Sequence, residues 1–191
     1  MPRTLDLVVK NVRIVRPNVR EVVQGDIGIA GGKFTLLEEN IAVEKTRAVY
    51  DGKGLLAFPG VVDAHMHTGI YSPLAEDAVS ESRAAAQGGV TTSLNYFRSG
   101  QYYLNKGGPY AEFFPEVLNI SEGKFHVDYG FHLAPMDSTH ISEIESLIKQ
   151  FGVCSFKIFM FYGSHGLHGR SDSQRDFLMI GPDERYDYAH F

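Results

Sequence analysis

Residues 59–67 read Pro-Gly-Val-Val-Asp-Ala-His-Met-His, a short apolar run that ends in two histidines one residue apart. Side chains alternate between the two faces of an extended strand, so Asp63, His65 and His67 share one face. Two imidazoles at the end of a strand can hold a metal ion between them. An isolated His-x-His pair is also common by chance, so the pair alone leaves a metal site and an ordinary strand end both open.

Predicted strands and helices alternate after this run, which is typical of βα units and a parallel sheet. Helices are predicted at residues 75–87 and 110–121, and a third begins at Asp137 or Ser138, where either side chain can cap it. Four strands begin near Val61, Val90, Phe125 and Val153. Their intervals are close to the roughly 31 residues per unit of a (β/α)8 barrel of about 250 residues. Residues 58–191 are therefore predicted to be strands 1–4 of such a TIM-like barrel, apparently truncated.

Residues 1–57 have a different hydrophobic pattern, with short apolar runs and no helical periodicity. Leu5–Val15, Val19–Val23 and Asp26–Ala30 are predicted strands, and residues 36–49 continue in the same style. Gly31-Gly32 predicts a hairpin, since glycine adopts positive φ without steric cost. This segment is predicted to form a small β-layer that precedes the barrel.

The composition excludes several classes of partner and location. The 191 residues carry a formal net charge of −5 without a basic cluster, which argues against nucleic acid and anionic membranes as partners. The sequence contains no run of about 18 apolar residues, so it predicts no transmembrane helix. The N-terminus has no apolar signal core. Cys154 is the single cysteine, so no internal disulfide can form, which favours a reducing cytoplasm.

Lys157 lies in the middle of the fourth predicted strand, in an almost wholly apolar run, Ser155–Gly163. A buried ammonium is costly, so such a lysine either extends its amine to water, pairs with an acid, or serves in chemistry. Burial favours the free amine, which can react with carbon dioxide to give a carbamate. A carbamate has two oxygens and can bridge two metal ions. Strands one and four could aim His65, His67 and Lys157 at one central space.

Several motifs together resemble the hydantoinase and dihydropyrimidinase branch of the amidohydrolase superfamily. The first two are Phe58–His67 and the run Ser155–Met160 around Lys157. Three others lie between or before them in the expected order, namely Arg83–Thr92, Val127–His132 and Asp26–Lys33.

The resemblance implies a (β/α)8 barrel flanked by a β-sandwich, which residues 1–57 would begin. It implies a binuclear zinc site in the complete barrel, with His65 and His67 binding one zinc and carboxylated Lys157 bridging both. A metal-activated hydroxide would open the ring of a small cyclic amide or ureide, and catalytic Tyr162 would hold the oxyanion. Homo-oligomers, typically tetramers, are common in this family.

The sequence also departs from the family. Further metal ligands and the catalytic aspartate are expected from later strands, so the 191 residues alone are predicted to be an incomplete enzyme. Gly69 stands where dihydroorotases place an arginine and hydantoinases an acidic residue, so the exact cyclic substrate stays open. The alternatives are an N-acyl deacylase of the same superfamily and an inactive fragment or non-catalytic scaffold.

Overall fold

The chain divides into two compact units in a computed structural model, the first ending at Pro59 and the second beginning at Gly60. The structure describes residues 4–44, 46–99, 104–136 and 138–158. No helix in these ranges is long and apolar enough to cross a membrane.

The first unit is a five-stranded sheet. Its strands are β1 (Leu7–Arg16), β2 (Glu21–Ala30), β3 (Lys33–Glu38), β4 (Val49–Asp51) and β5 (Leu56–Ala57). The order is β3-β2-β1-β4, and β5 also pairs with β1. β1, β2 and β3 are antiparallel neighbours, whereas β4 and β5 run parallel to β1. The assignment of this sheet to a β-sandwich stays a prediction.

The β2–β3 connection confirms the predicted hairpin, because Gly31 and Gly32 both adopt positive φ between these strands. The separation of Val19–Val23 from Asp26–Ala30 is wrong. One strand, β2, runs through both, and Val19 lies in the preceding 3-10 turn, Pro17–Val19. Gly25 permits this continuity, since a Cβ there would lie 2.7 Å from the carbonyl oxygen of Glu38 on β3.

The second unit has a parallel sheet in the order β6-β7-β8. Its strands are β6 (Val61–His67), β7 (Val90–Phe97) and β8 (Asp128–Leu133), with helices α1 (Leu74–Gln87), α2 (Tyr110–Ser121) and α3 (Ser138–Phe151) between and after them. This alternation of strands and helices confirms the predicted order of elements. The described part of the fourth predicted strand pairs with β8 through one parallel bridge, between Leu133 and Phe156. Residues 159–191 lie outside the described ranges.

Aromatic packing holds the helices on this sheet. Phe97 of β7 contacts Phe113 of α2 with ring centroids 6.2 Å apart, and Phe131 of β8 contacts Phe114 of α2 with ring centroids 5.7 Å apart. Hydrogen bonds also join α3 to α2, because the Glu143 carboxylate of α3 accepts hydrogen bonds from the N–H groups of Tyr110 and Ala111, both at 2.8 Å. These are the first two residues of α2, whose N–H groups have no partner within the helix. The core thus fixes the carboxyl ends of the strands, where the candidate site lies.

Candidate active site

The carboxyl ends of three parallel strands bring one row of ring side chains together. In the register of the sheet, His67 on β6 pairs with Tyr96 on β7, and Tyr96 pairs with His132 on β8. Paired residues of neighbouring strands project to the same face. His65, two residues before His67, joins them on that face, so four rings from three strands form one cluster.

The two predicted histidines and the predicted lysine meet in this cluster. The Nε2 atoms of His65 and His67 lie 3.0 Å apart, and the Nζ of Lys157 lies 3.1 Å from the same Nε2 of His65. The structure therefore brings His65, His67 and Lys157 together, with the Nε2 of His65 in contact with both of the other nitrogen atoms. Their service as metal ligands stays a prediction. Tyr162, the fourth predicted site residue, lies outside the described residues.

Lys157 is only partly buried, which corrects the expectation that its strand encloses it. Its backbone N–H donates to the carbonyl of Leu133 at 2.9 Å, so the end of β8 sets its position. Burial lowers the pKa of the Lys157 amine, and the positive charge of Arg98 lowers this pKa further. Both causes favour the free amine, the form that can react with carbon dioxide.

Tyr96 forms the floor beneath these nitrogen atoms and is 1% exposed. The Nζ of Lys157 lies 4.1 Å from the centroid of the Tyr96 ring, within the range of a cation–π contact. The rings of His67 and His65 have centroids 4.8 and 5.9 Å from that of Tyr96. A rigid aromatic platform therefore supports all three predicted ligands, a role that the sequence did not suggest for a tyrosine inside an apolar strand.

His132 contacts the other side of the His65 ring. The Nε2 of His132 lies 2.8 Å from the Nδ1 of His65, and His132 is only 8% exposed. Burial, the charge of His65 and the charge of Lys157 lower the pKa of His132 to about 4. Sequence reasoning missed this residue, since a lone histidine in an apolar strand is usually a core residue. The signal was its place in the third strand, near the carboxyl end where the first strand carries its histidines.

The surroundings of His65 favour its neutral imidazole form. Burial lowers the pKa of His65, the charge of Lys157 lowers it further, and the negative charge of Asp63 opposes them. The carboxylate of Asp63 also accepts the backbone N–H of His65 at 3.0 Å. A neutral imidazole keeps a lone pair on one ring nitrogen, which is the form that binds metals.

A buried polar network ties the strand ends together directly after His67. The Thr68 hydroxyl donates to the Asn95 side-chain oxygen at 2.7 Å. The Asn95 amide donates to the Gly130 carbonyl at 3.3 Å and to the Ser93 hydroxyl at 3.1 Å. This network links β6, β7 and β8, so it restrains the separation of the strands that carry the histidines.

Gly69 begins the loop that leaves β6. Its φ is +80°, and a Cβ there would lie 3.0 Å from the Cα of Leu74. Its N–H donates to the Asp77 carboxylate at 2.9 Å, which fastens the loop to α1. The local fold therefore leaves little room for a side chain at the position where the resembled family places an arginine or an acid.

The donor set suits zinc, but the described residues do not complete a zinc site. Imidazole nitrogen is a preferred zinc ligand, and two Nε2 atoms 3.0 Å apart can bind one ion. No group of three or more His, Cys, Asp or Glu side chains in the described ranges is arranged to hold a metal ion. His132 does not supply the third ligand, because it faces Nδ1 of His65 and not the Nε2 that faces His67. Carboxylated Lys157 would add an oxygen donor beside the two Nε2 atoms, so the residues present fit part of a zinc centre.

Comparison with known proteins identifies the relatives of this chain. A D-hydantoinase of Geobacillus stearothermophilus is 32% identical over 159 residues, which covers 81% of this chain and 32% of the relative. An allantoinase of Salmonella choleraesuis is 38% identical over 94 residues, 48% of this chain and 19% of that enzyme. The crystal structure of a dihydropyrimidinase from Brevibacillus agri superposes with a TM-score of 0.67 at 26% identity, covering 82% of this chain and 33% of that one. No protein-family model matches the chain.

Over its matched length, the chain belongs to the hydantoinase branch of the amidohydrolase superfamily. The chain spans about a third of the length of the D-hydantoinases it matches.

Proposed function

We propose that the protein is a metal-dependent hydrolase that opens the ring of a small cyclic amide, at a site built on His65, His67 and Lys157. The observation that carries the proposal is that the Nε2 of His65 lies 3.0 Å from the Nε2 of His67 and 3.1 Å from the Nζ of Lys157. The relatives named hydantoinase, dihydropyrimidinase and allantoinase support a cyclic substrate with amide or ureide C–N bonds.

His65 and His67 would hold zinc through their Nε2 atoms, and carboxylated Lys157 would supply oxygen ligands to the same binuclear centre. Carboxylation joins the free Nζ lone pair to the carbon of carbon dioxide, turns one C=O bond into a C–O⁻ bond, and releases one proton from the nitrogen. When bound, zinc would supply a hydroxide nucleophile from water and polarise the ring carbonyl. The remaining zinc ligands are expected from residues outside the described ranges.

The chain's own residues would order this chemistry. Tyr96 supports the two histidines and the lysine from below, and the Thr68–Asn95 hydrogen bond restrains the end of β6. Tyr162 would donate its hydroxyl hydrogen to the oxyanion that forms on the substrate carbonyl, a role taken from the family resemblance. Opening of the ring would then break the C–N bond, leave the attacked carbon as a carboxylate, and transfer the proton of the former hydroxide to the departing nitrogen.

The proposal also includes the location, the oligomeric state and the partner of the enzyme. We propose a cytoplasmic protein, a homo-oligomer such as a tetramer, and a small-molecule substrate as its partner. The free and exposed Cys154 is compatible with a reducing compartment.

A substrate panel with controlled metal content tests the function. The purified full-length protein is stripped with a chelator and reloaded with zinc, and the hydrolysis of hydantoin, dihydrouracil, allantoin and an open-chain N-acyl amino acid is measured. We expect turnover of at least one cyclic substrate that disappears in the stripped protein and returns with zinc. Hydrolysis of the N-acyl amino acid alone would instead favour the deacylase, and zinc binding without any turnover would favour the non-catalytic scaffold.

Two variants show whether the site described here is responsible. His65→Asn removes one proposed ligand, whereas His126→Asn changes an exposed histidine just before β8. We expect the first variant to lose zinc and turnover and the second to keep both.

A further inference from the structure

His132 contacts His65 directly, and the proposed function gives His132 no role. Its Nε2 lies 2.8 Å from the Nδ1 of His65, and the ring centroids lie 4.7 Å apart with an interplanar angle of 56°. Two ring nitrogens at this distance share one proton, so one ring donates and the other accepts. The direction of this hydrogen bond decides which nitrogen of His65 keeps its lone pair.

The contacts of His65 determine that direction. The Lys157 Nζ lies 3.1 Å from the Nε2 of His65. Binding of zinc through this Nε2, as the proposed function has it, requires a lone pair there, and an N–H of Lys157 can donate to the same lone pair in the metal-free protein. A neutral imidazole with a lone pair on Nε2 carries its proton on Nδ1. That proton points at the Nε2 of His132, which must then accept.

We propose that His132 is a positioning residue whose Nε2 accepts the Nδ1–H of His65 and thereby fixes the tautomer and ring orientation that present the His65 Nε2 to His67 and Lys157. The inference rests on the proposed function, since it makes His65 a zinc ligand through Nε2. A hydrogen bond from the second nitrogen of a metal-binding histidine orients the ring and raises its basicity, and loss of such a partner typically costs about 10- to 100-fold in metal affinity.

The sheet makes this arrangement rigid. His132 and Tyr96 are paired in register between β8 and β7, as Tyr96 and His67 are between β7 and β6. His132 and Tyr96 are 8% and 1% exposed. The acceptor is therefore held by the same three strands that carry the proposed ligands, and its position does not depend on a loop.

Zinc affinity tests the inference in three variants of the full-length protein, measured by competition with a chromophoric chelator. His132→Leu removes the acceptor, whereas His132→Gln can place an amide oxygen near the former Nε2. His126→Leu is the matched control on an exposed histidine of the same segment. We expect zinc affinity to fall about 10- to 100-fold in H132L, to return to within about threefold in H132Q, and to stay unchanged in H126L.

An unchanged zinc affinity in H132L would overturn the inference. So would an equal loss in H132L and H132Q, since a purely packing role would not distinguish an acceptor from a hydrocarbon.

A second measurement needs no variant and no metal, so it stands even if H132L fails to fold. Nitrogen NMR of the metal-free wild-type protein with labelled histidine reports the tautomer of each ring. We expect His65 with its proton on Nδ1 and a scalar coupling from this hydrogen bond to the Nε2 of His132. A His65 proton on Nε2 would overturn the inference. Failure of wild-type zinc binding would instead overturn the proposed function, and the NMR result would still decide the hydrogen bond.

Discussion

The Nζ of Lys157 lies 3.1 Å from the Nε2 of His65, although the two residues are 92 positions apart in the chain. The contact depends on the parallel bridge between Leu133 and Phe156 and on the hydrogen bond from the Lys157 N–H to the Leu133 carbonyl. The end of β8 thus places the lysine beside the histidines of β6.

Lys157→Arg tests whether this lysine serves through a carbamate or through its charge. Arginine keeps the positive charge and cannot form a carbamate at neutral pH. We expect turnover of the cyclic substrate to fall about a thousandfold, since metal-ion catalysis contributes several kcal/mol and each 1.36 kcal/mol is a factor of ten. The measurement is kcat together with zinc content.

Two controls accompany this variant. Lys149→Arg changes an exposed lysine of α3 that pairs with Glu145, and it is expected to behave as wild type. Lys157→Ala with added acetate or propionate is expected to recover part of the turnover, because a small carboxylate supplies the two oxygens of the carbamate. Full activity in K157R would show that no carbamate is needed.

Asp26→Asn is expected to destabilise the first unit. Asp26 is 2% exposed and accepts hydrogen bonds from the Lys10 amine at 2.5 Å, the Ile41 N–H at 2.8 Å and the Asn11 N–H at 2.9 Å. An amide replaces one accepting oxygen with a donor, so we expect a loss of about 2 kcal/mol in the free energy of unfolding. Urea denaturation checks it, with Glu21→Gln in the exposed Arg16 pair as the control, expected within about 0.5 kcal/mol.

The same carboxylate gives a pH dependence with a definite sign. Burial raises the pKa of Asp26, but the hydrogen bonds from Lys10, Ile41 and Asn11 outweigh it and hold the pKa below its ordinary value of 3.8. Its stabilising contribution is therefore complete above pH 3.8 and is lost as the pH falls through the lower folded value. We expect the stability difference between wild type and D26N to be constant near neutral pH and to shrink in acid. A difference that grows in acid would contradict this account.

Gly69→Ala separates crowding from backbone strain when compared with Gly89→Ala. Both glycines have positive φ, +80° at Gly69 and +89° at Gly89. A Cβ at Gly69 would lie 3.0 Å from Leu74, whereas a Cβ at Gly89 would have no other atom within 4 Å. We expect G89A to cost about 1 kcal/mol from strain alone and G69A about 1 kcal/mol more from crowding. Thermal unfolding measures both, and equal costs would show that the loop after β6 relaxes freely.

Much of the second unit follows from local sequence rules. α1 and α2 were predicted nearly to their observed ends, because the Gly88-Gly89 pair stops one helix and Pro109 precedes the other. The meeting of His65, His67 and Lys157 required a non-local argument, namely that strands of a parallel sheet present their carboxyl ends at one edge.

Other features could not be read from single residues. His132 and Tyr96 belong to the cluster only through the register of three strands, and each alone has the character of a core residue. The continuity of β2 depends on the close approach of Gly25 to the Glu38 backbone. The expected burial of Lys157 was overstated, since an apolar neighbourhood in sequence does not establish how its strand is covered.

The central claim is that His65, His67 and Lys157 form a zinc centre with a carboxylated lysine. Anomalous diffraction at the zinc absorption edge, from crystals of the full-length protein grown with zinc and bicarbonate, tests it most directly. The account predicts a zinc peak bound to the Nε2 atoms of both histidines and planar density beyond the Nζ of Lys157. A zinc-free cluster, or a bare amine on Lys157 beside a fully occupied zinc, would contradict it.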